Sequence, residues 1–136
     1  MGIIKFSGPV VLLKAEAGEV TRFAADLDHL RLILPEQVVN FASSGNRCSF
    51  DIPGMTSIHL EVKKVVDRQS VEIASEAGIA PEINLSFQLQ PGDDHNSQAK
   101  IELEAELSPF IQMLASTPLQ NLVNIMSEKL SEQFGG

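Results

Sequence analysis

The first part of the chain changes from a strand pattern to a helix pattern. Residues 3–14 alternate with a period of two, which predicts a strand, and Pro9 indicates an edge position or a bulge within it. The apolar face of this strand is predicted to carry Ile4, Phe6, Val10 and Leu12. The next apolar positions have helical spacing, at Val20, Phe23, Ala24 and Leu27. Asp28 is predicted to cap a second short helix, which Pro35 ends because the residue before a proline avoids the helical region.

From residue 36 onward the period is two again, and turn residues interrupt it at short intervals. The predicted strands cover residues 36–42, 47–52, 56–66, 69–75, 82–90 and 98–107. Pro53-Gly54 and Asp67-Arg68 are typical of the tight turns that join such strands. Connections this short predict an antiparallel meander, in which each strand has one apolar side and one polar side.

The last part of the chain predicts one long amphipathic helix. Thr117 is suited to cap it and Pro118 to occupy its first position. Its apolar stripe consists of Leu119, Leu122, Val123, Met126, Leu130 and Phe134. Residues 108–115 are out of phase with this stripe and are therefore predicted to form a separate turn or a kinked lead-in.

Composition and charge restrict the classes of function. With 136 residues, of which 43% are apolar, the chain is predicted to form a single domain over residues 1–136. Its formal charge of −8 argues against nucleic acid and anionic lipid surfaces as partners. We expect no membrane span and, because the amino end does not have the pattern of a signal peptide, a cytoplasmic location. The single cysteine, Cys48, is compatible with a reducing compartment.

The order of these elements is one strand, two short helices, six strands and a long helix. Residues 17–26 read Ala-Gly-Glu-Val-Thr-Arg-Phe-Ala-Ala-Asp, and Leu30 and Leu34-Pro35 follow them. In these features the whole chain resembles the helix-grip superfamily, which includes START lipid-transfer domains, polyketide cyclases and other SRPBCC-like proteins. The resemblance implies an α+β fold, in which a seven-stranded antiparallel sheet curls around the C-terminal helix. It also implies that the space between them holds an apolar ligand.

Eight apolar side chains are predicted to line that space. They are Phe41, Phe50, Leu60, Phe87, Leu89, Met113, Leu122 and Met126. Ordinary core packing explains the same residues, so both interpretations stay open. The chain contains no Trp and no Tyr, so a cavity would offer few hydrogen-bond donors and its ligand would be mostly hydrocarbon.

The titratable residues predict no catalytic or metal site. Cys48 falls on the inward face of its strand, where a free cysteine behaves as a small apolar residue. The histidines lack the spacing of metal ligands, so we expect neither a metal nor a cofactor. His29, in the bend between the short helices, is the best placed acid or base. A stripe on the outer face of the sheet is predicted to be solvated and contains Glu102, Glu104 and Glu106.

Three functions follow from these patterns. The first is a non-catalytic module that binds a small apolar ligand, such as an acyl chain or an isoprenoid, between sheet and helix; it fails if side chains fill that space. The second is an enzyme of the cyclase or hydratase kind that uses His29, which the scarcity of buried polar residues disfavours. The third is a protein-interaction or assembly subunit with a filled core, including a homodimer, in which Phe110, Ile111 and Ile125 are contact residues.

Overall fold

The computed structural model describes residues 2–53, 57–76, 78 and 82–135. Within them the chain forms eight strands: β1 (Gly2–Ser7), β2 (Val11–Leu13), β3 (Val39–Ser43), β4 (Arg47–Asp51), β5 (Ser57–Val66), β6 (Ser70–Ser75), β7 (Glu82–Pro91) and β8 (Ser97–Leu107). The helices are α1 (Ala17–Ala25), a 3-10 helix (Leu27–Leu32) and α2 (Pro109–Gln133). The predicted turn at Gly54 and the start of the third meander strand at Thr56 lie outside the described residues.

All strands pair antiparallel in one sheet. Their order is β1-β8-β7-β6-β5-β4-β3, and β2 pairs with β8 beyond the end of β1. Consecutive strands from β3 to β8 are therefore neighbours in the sheet, as the predicted meander requires. This arrangement confirms the α+β class and the antiparallel sheet with a long C-terminal helix.

The predicted first strand is broken into β1 and β2 at residues 8–10, and both pieces lie at the edge of the sheet, as Pro9 indicates. The backbone of Gly8 packs so closely on α2 that a Cβ atom there would lie 2.3 Å from the Oγ atom of Ser127. The break shifts the alternation by one residue, so that Leu13 is buried whereas Val10 and Leu12 are exposed. The predicted apolar face is therefore wrong beyond Pro9.

The inner face of the sheet forms one side of the core. On β7, Ile83, Leu85 and Phe87 are buried, while the alternate residues face outward. On β8 the inner side chains are Ala99, Ile101, Leu103, Ala105 and Leu107. The predicted alternation of these two strands is confirmed, because each packs one face against the helices and leaves the other polar.

Asp26, and not Asp28 as predicted, caps the 3-10 helix. The Asp26 carboxylate accepts a hydrogen bond from the backbone N–H of Asp28 at 2.9 Å and so caps this helix. Asp28 instead accepts hydrogen bonds from the hydroxyl of Ser43 at 2.6 Å and from the N–H of Gly45 at 3.2 Å. The cap prediction for Asp28 was therefore wrong, and Asp28 joins the 3-10 helix to the β3–β4 turn.

Helix α2 begins earlier than the sequence predicts and is continuous. The Ser108 hydroxyl caps it by accepting a hydrogen bond from the N–H of Ile111, and Pro109 occupies the first turn. Pro118 lies inside the helix, although it lacks the N–H that the helix interior uses. The inward side chains are Ala115, Leu119, Leu122, Val123, Met126, Ser127 and Leu130.

None of the helices that the structure describes is long and apolar enough to cross a bilayer.

Helix α2 also covers the edge of the sheet at β1. The Nε2 atom of Gln112 donates hydrogen bonds to the carbonyl oxygens of Leu107 at 2.9 Å and Gly2 at 3.3 Å. Gln120 donates to the carbonyl oxygen of Ser7 at 3.1 Å. These amides satisfy strand carbonyls and protect an edge to which another chain could otherwise add a strand.

Candidate functional site

The space between the inner face of the sheet and α2 is almost completely filled. Its remaining volume is about 10 Å³, which is near the minimum that a single water molecule needs. Twelve apolar side chains enclose it: Leu30, Leu34, Phe50, Ile52, Ile58, Leu60, Ile83, Leu85, Leu103, Leu119, Leu122 and Met126. Core packing therefore describes this space in the structure. By the criterion given above, the first function fails in the form in which the ligand lies between the sheet and α2.

The structure brings four of the eight predicted lining residues together around this space. They are Phe50, Leu60, Leu122 and Met126. Phe41 is half-buried and stacks on Phe50, with ring centroids 6.3 Å apart. Phe87 and Leu89 are buried in another part of the same core.

Met113 lies on the surface, with 82% of its area exposed. In the continuous helix, Ala115 and Leu119 face the sheet, and Met113 precedes Ala115 by two positions. Two positions correspond to about 200° of rotation at 3.6 residues per turn, so the Met113 side chain points away from the sheet. Its predicted position in the lining is corrected accordingly.

A surface groove of about 330 Å³ lies beside the filled space. Its walls are Pro35, Gln37, Val38, Ile52, Pro53, Thr117, Pro118, Asn121, Leu122 and Ile125. Ile52 and Leu122 line both the groove and the internal space. These two side chains therefore stand between an open apolar groove and the apolar interior.

Three chain segments position the walls of the groove. One is the turn after the 3-10 helix, where the N–H of Val38 donates to the carbonyl oxygen of Pro35 at 3.1 Å. The second is the end of β4, where Asp51 precedes Ile52. The third is the middle of α2, where Pro118, Leu122 and Ile125 recur at helical spacing. The groove therefore depends on contacts between segments that are far apart in the sequence.

Hydrogen bonds to Asp51 fix the end of β4 beside the groove. Its carboxylate accepts hydrogen bonds from the hydroxyl of Ser57 and from the amide of Asn40, the latter at 2.7 Å. The bond from Ser57, followed by that from Asn40, holds the pKa of Asp51 below its ordinary value. Asn40 has a positive φ of 57° next to the irregular pairing of β3 and β4. Asparagine tolerates this conformation better than most residues, which explains its place here.

The groove offers hydrogen bonds but no acid or base. Its polar side chains are Gln37, Thr117 and Asn121, which carry amides and a hydroxyl, and its other walls are apolar. No titratable side chain is among the described residues of its lining. The arrangement is therefore suited to holding a largely apolar molecule by one or two polar contacts.

His29 lies apart from both spaces. Its ring stacks on Phe23, with centroids 4.7 Å apart, and its Nδ1 atom lies 3.1 Å from the carbonyl oxygen of Phe23. The described walls of the groove and of the internal space do not include it. Its local contacts explain its position as part of the packing of α1.

Cys48 is buried on the inner face of β4, as predicted. Burial, with a smaller effect of the negative charge of Glu76, raises the pKa of the Cys48 thiol to about 12. The thiol is therefore protonated at neutral pH and is a poor nucleophile. Among the described residues, no group of three or more His, Cys, Asp and Glu side chains could hold a metal ion.

Glu102 departs from the predicted solvated stripe, since only 9% of its area is exposed. Its Oε2 atom accepts a hydrogen bond from the Ser7 hydroxyl at 2.8 Å and lies 3.4 Å from the Lys5 Nζ atom. The bond from Ser7, with smaller contributions from Gln88 and Lys5, holds the pKa of Glu102 below its ordinary value despite the opposing effect of burial. The prediction was therefore wrong for Glu102, which links the edge strand β1 to β8.

The sequence reasoning missed two parts of this site. One is the contribution of the 3-10 helix, since Leu30 and Leu34 enclose the internal space although only the strands and α2 were expected to do so. The spacing of these two leucines before Pro35 was a usable signal. The other is the groove itself, whose residues belong to turns and to a helix flank and carry no common pattern.

Comparisons with known proteins identify the architecture. No family model and no curated protein matches the chain. Among solved structures, KanY has a TM-score of 0.73 at 14% identity and is matched over 100% of both chains. A START superfamily protein from Mycobacterium smegmatis has a TM-score of 0.65 at 14% identity, with 97% of this chain and 96% of that chain covered. Norcoclaurine synthase from Thalictrum flavum, in complex with dopamine and hydroxybenzaldehyde, has a TM-score of 0.67 at 12% identity, with 97% of this chain and 86% of that chain covered.

These likenesses show the fold. The chain is matched over nearly its whole length by proteins of START-like architecture, so it has the helix-grip fold that the element order resembles. Identities of 12 to 14% carry no information about its ligand or activity.

Proposed function

We propose that the protein is a non-catalytic binding module for a small, largely apolar molecule, which binds in the groove between α2 and the ends of the 3-10 helix and β4. The observation that carries this proposal is that Ile52 and Leu122 line both the groove and the filled apolar interior. A ligand in the groove would contact these two side chains first. Their rotation would extend the site toward the core.

The size and chemistry of the groove support this proposal. Its volume of about 330 Å³ is at the lower end of the range of about 300–1,000 Å³ that is usual for small-molecule sites. The internal space of about 10 Å³ is far below that range. Of these two neighbouring apolar spaces, only the groove has room for a small molecule, and a short acyl or isoprenoid chain suits its mainly apolar walls.

The solved structures of the same fold support a binding role without identifying a ligand. Norcoclaurine synthase was solved in complex with dopamine and hydroxybenzaldehyde, so this architecture can hold small organic molecules. That neighbour is by name a synthase, but the cyclase or hydratase reaction expected of the present chain uses His29, which is not among the described residues that line the groove.

A fluorescence titration with N-phenyl-1-naphthylamine, an uncharged apolar probe, tests the proposal. We expect saturable binding by the wild-type protein and at least about tenfold weaker binding by Ile125→Glu, because a carboxylate in the groove must lose water when the probe binds. Ile125 is absent from the residues that enclose the internal space, so this substitution leaves the core intact.

Asn124→Glu is the matched control. It introduces the same charge on the same helix at an exposed position outside both the groove and the first turns of α2. We expect it to bind the probe as the wild-type protein does, and thermal melts should show that both variants are folded. Absence of saturable binding by the wild-type protein, or equal affinity of Ile125→Glu and the wild type, would overturn the proposal.

A further inference from the structure

The first turns of α2 expose a group of large apolar side chains, which we call the amino-terminal patch. It consists of Phe110, Ile111, Met113 and Leu114, which are between 40% and 82% exposed. Phe110, Met113 and Leu114 have the i, i+3, i+4 spacing that places side chains on one helical face. Gln112 and Ala115 occupy the opposite face and hold the helix to the protein. The patch is therefore a well-defined outward surface on an anchored helix.

The patch lies in a part of the chain that has no charge. No Asp, Glu, Lys, Arg or His occurs from Leu107 to Ser127, although charged residues make up 21% of the whole chain. An exposed helical face in water normally carries charged residues. A face that is both apolar and uncharged is typical of a surface that is covered in the functional state.

The charge distribution distinguishes between possible occupants. A helix that lies on a lipid surface usually carries Lys and Arg beside its apolar face, and α2 has none before Lys129. The formal charge of −8 also repels anionic lipids. A basic protein partner would be attracted to acidic surfaces, which this patch does not provide.

A second copy of the chain fits the patch best. In a two-fold contact each surface meets itself, so charged residues on it would face like charges. The side chains of the patch carry no charge, so two molecules of charge −8 meet less repulsion there than they would through a helix face that carries charged residues. We propose that the amino-terminal patch is a self-association surface, on which two copies pack their α2 helices about a two-fold axis.

The size of the patch sets the expected strength of this contact. Four partly exposed side chains provide on the order of several hundred Å², which is less than the roughly 800 Å² per partner of a standard interface. We therefore expect a reversible dimer with a dissociation constant in the micromolar range.

Sedimentation velocity over protein concentrations from about 1 to 500 µM, which bracket that range, tests the proposal. We expect the wild-type protein to change from monomer to dimer, and Met113→Glu to raise the dissociation constant at least about tenfold, because the dimer then buries two carboxylates. Leu12→Glu is the matched control, since Leu12 is also an exposed apolar residue, at 68%, but lies on β2. Monomer at every concentration, or equal weakening by both substitutions, would overturn the proposal.

A cross-linking experiment tests the position of the contact independently. The native Cys48 is buried, so Met113→Cys introduces the one accessible thiol among the described residues. We expect a flexible bis-maleimide to convert this variant to a covalent dimer, and Leu12→Cys to remain monomeric. Equal cross-linking of both variants, or co-sedimentation of monomeric wild-type protein with phosphatidylcholine vesicles, would contradict a second copy as the occupant.

Discussion

Helix α2 carries large apolar side chains in two parts, which we call its amino half (residues 109–118) and its carboxyl half (residues 119–133), and these parts differ in what covers them. In the carboxyl half, Leu119, Met126 and Leu130 are fully buried against the sheet. In the amino half, Phe110 and Met113 are mostly exposed. Both halves belong to one continuous helix, so the local backbone does not cause the difference.

The difference lies in the surface that faces each half. The carboxyl half faces apolar side chains on the inner face of the sheet. The amino half faces strand ends, where Gln112 donates hydrogen bonds to the carbonyl oxygens of Gly2 and Leu107. Apolar residues on a helix therefore indicate a surface that is buried in the functional state. Only the tertiary structure shows whether the same chain buries it.

The largest difference in stability is expected between two truncations, one in each half of α2. Leu119→Ala should lower the free energy of unfolding by about 2–5 kcal/mol, because it leaves a cavity in a packed core. Phe110→Ala should change it by no more than about 0.5 kcal/mol, as is usual for exposed positions. Urea denaturation of the two variants measures both values, and equal losses would abolish the distinction between the halves.

Gly8 tests how closely the carboxyl half packs on the broken first strand. Gly8→Ala should cost about 1–3 kcal/mol of stability, because the new Cβ atom would lie 2.3 Å from the Ser127 Oγ atom and 3.1 Å from the Val123 carbonyl oxygen.

The double variant Gly8→Ala/Ser127→Ala provides the control. It removes the closest of these contacts, so it should be more stable than the sum of the two single effects predicts. If the losses of stability from Gly8→Ala and Ser127→Ala simply add in urea denaturation, the contact with the Ser127 hydroxyl does not cause the loss seen in Gly8→Ala.

Gln112 tests what holds the amino half in place. Gln112→Ala should cost about 1 kcal/mol and should speed amide hydrogen exchange in the first turns of α2, since two strand carbonyls lose their donor. Gln133→Ala, an exposed position at the other end of the helix, is the control. Unchanged exchange in the first turns of Gln112→Ala would mean that other contacts anchor the amino half.

The smallest effect concerns the edge strand to which the amino half is attached. The hydrogen bond from Ser7 holds the pKa of Glu102 below its ordinary value of 4.5, so the folded protein binds protons less readily there than the unfolded chain. The contribution of Glu102 to the stability of the folded protein is therefore fully present above pH 4.5. It is lost as the pH falls through the lowered pKa that Glu102 has in the folded protein.

Glu102→Gln removes this titration. Urea midpoints measured at neutral pH and at acidic pH should therefore differ less for Glu102→Gln than for the wild-type protein. An identical loss of stability with falling pH in both proteins would show that Glu102 makes no contribution to it.

The parts of the fold that depend on local alternation could be predicted from the sequence. The inner and outer faces of β7 and β8 follow from a regular period of two, because one side of each strand packs and the other is solvated. Pro9 signals the interruption of the first strand, but the close packing of Gly8 on α2 could not be predicted in the same way, because Ser127 meets Gly8 only after the chain has folded.

The candidate site was only partly predictable for a similar reason. Thr117-Pro118 is a strong local signal for a helix start, yet Ser108-Pro109 begins α2. The side chain of Met113 therefore follows the phase of a continuous helix, which the local pattern does not reveal. The groove joins residues 35–38, 52–53 and 117–125. No periodic pattern relates these segments, so their proximity is a property of the folded chain.

The two methionines of α2 provide the most direct test of the proposed groove. Met126 borders the internal space beside Leu122, whereas Met113 lies in the exposed amino half. Carbon-13 methyl NMR of methionine-labelled protein, titrated with N-phenyl-1-naphthylamine, observes both residues in one experiment. We predict that the Met126 methyl resonance shifts and saturates with the probe while the Met113 resonance does not move. A shift of Met113 with no change at Met126 would contradict binding at the groove.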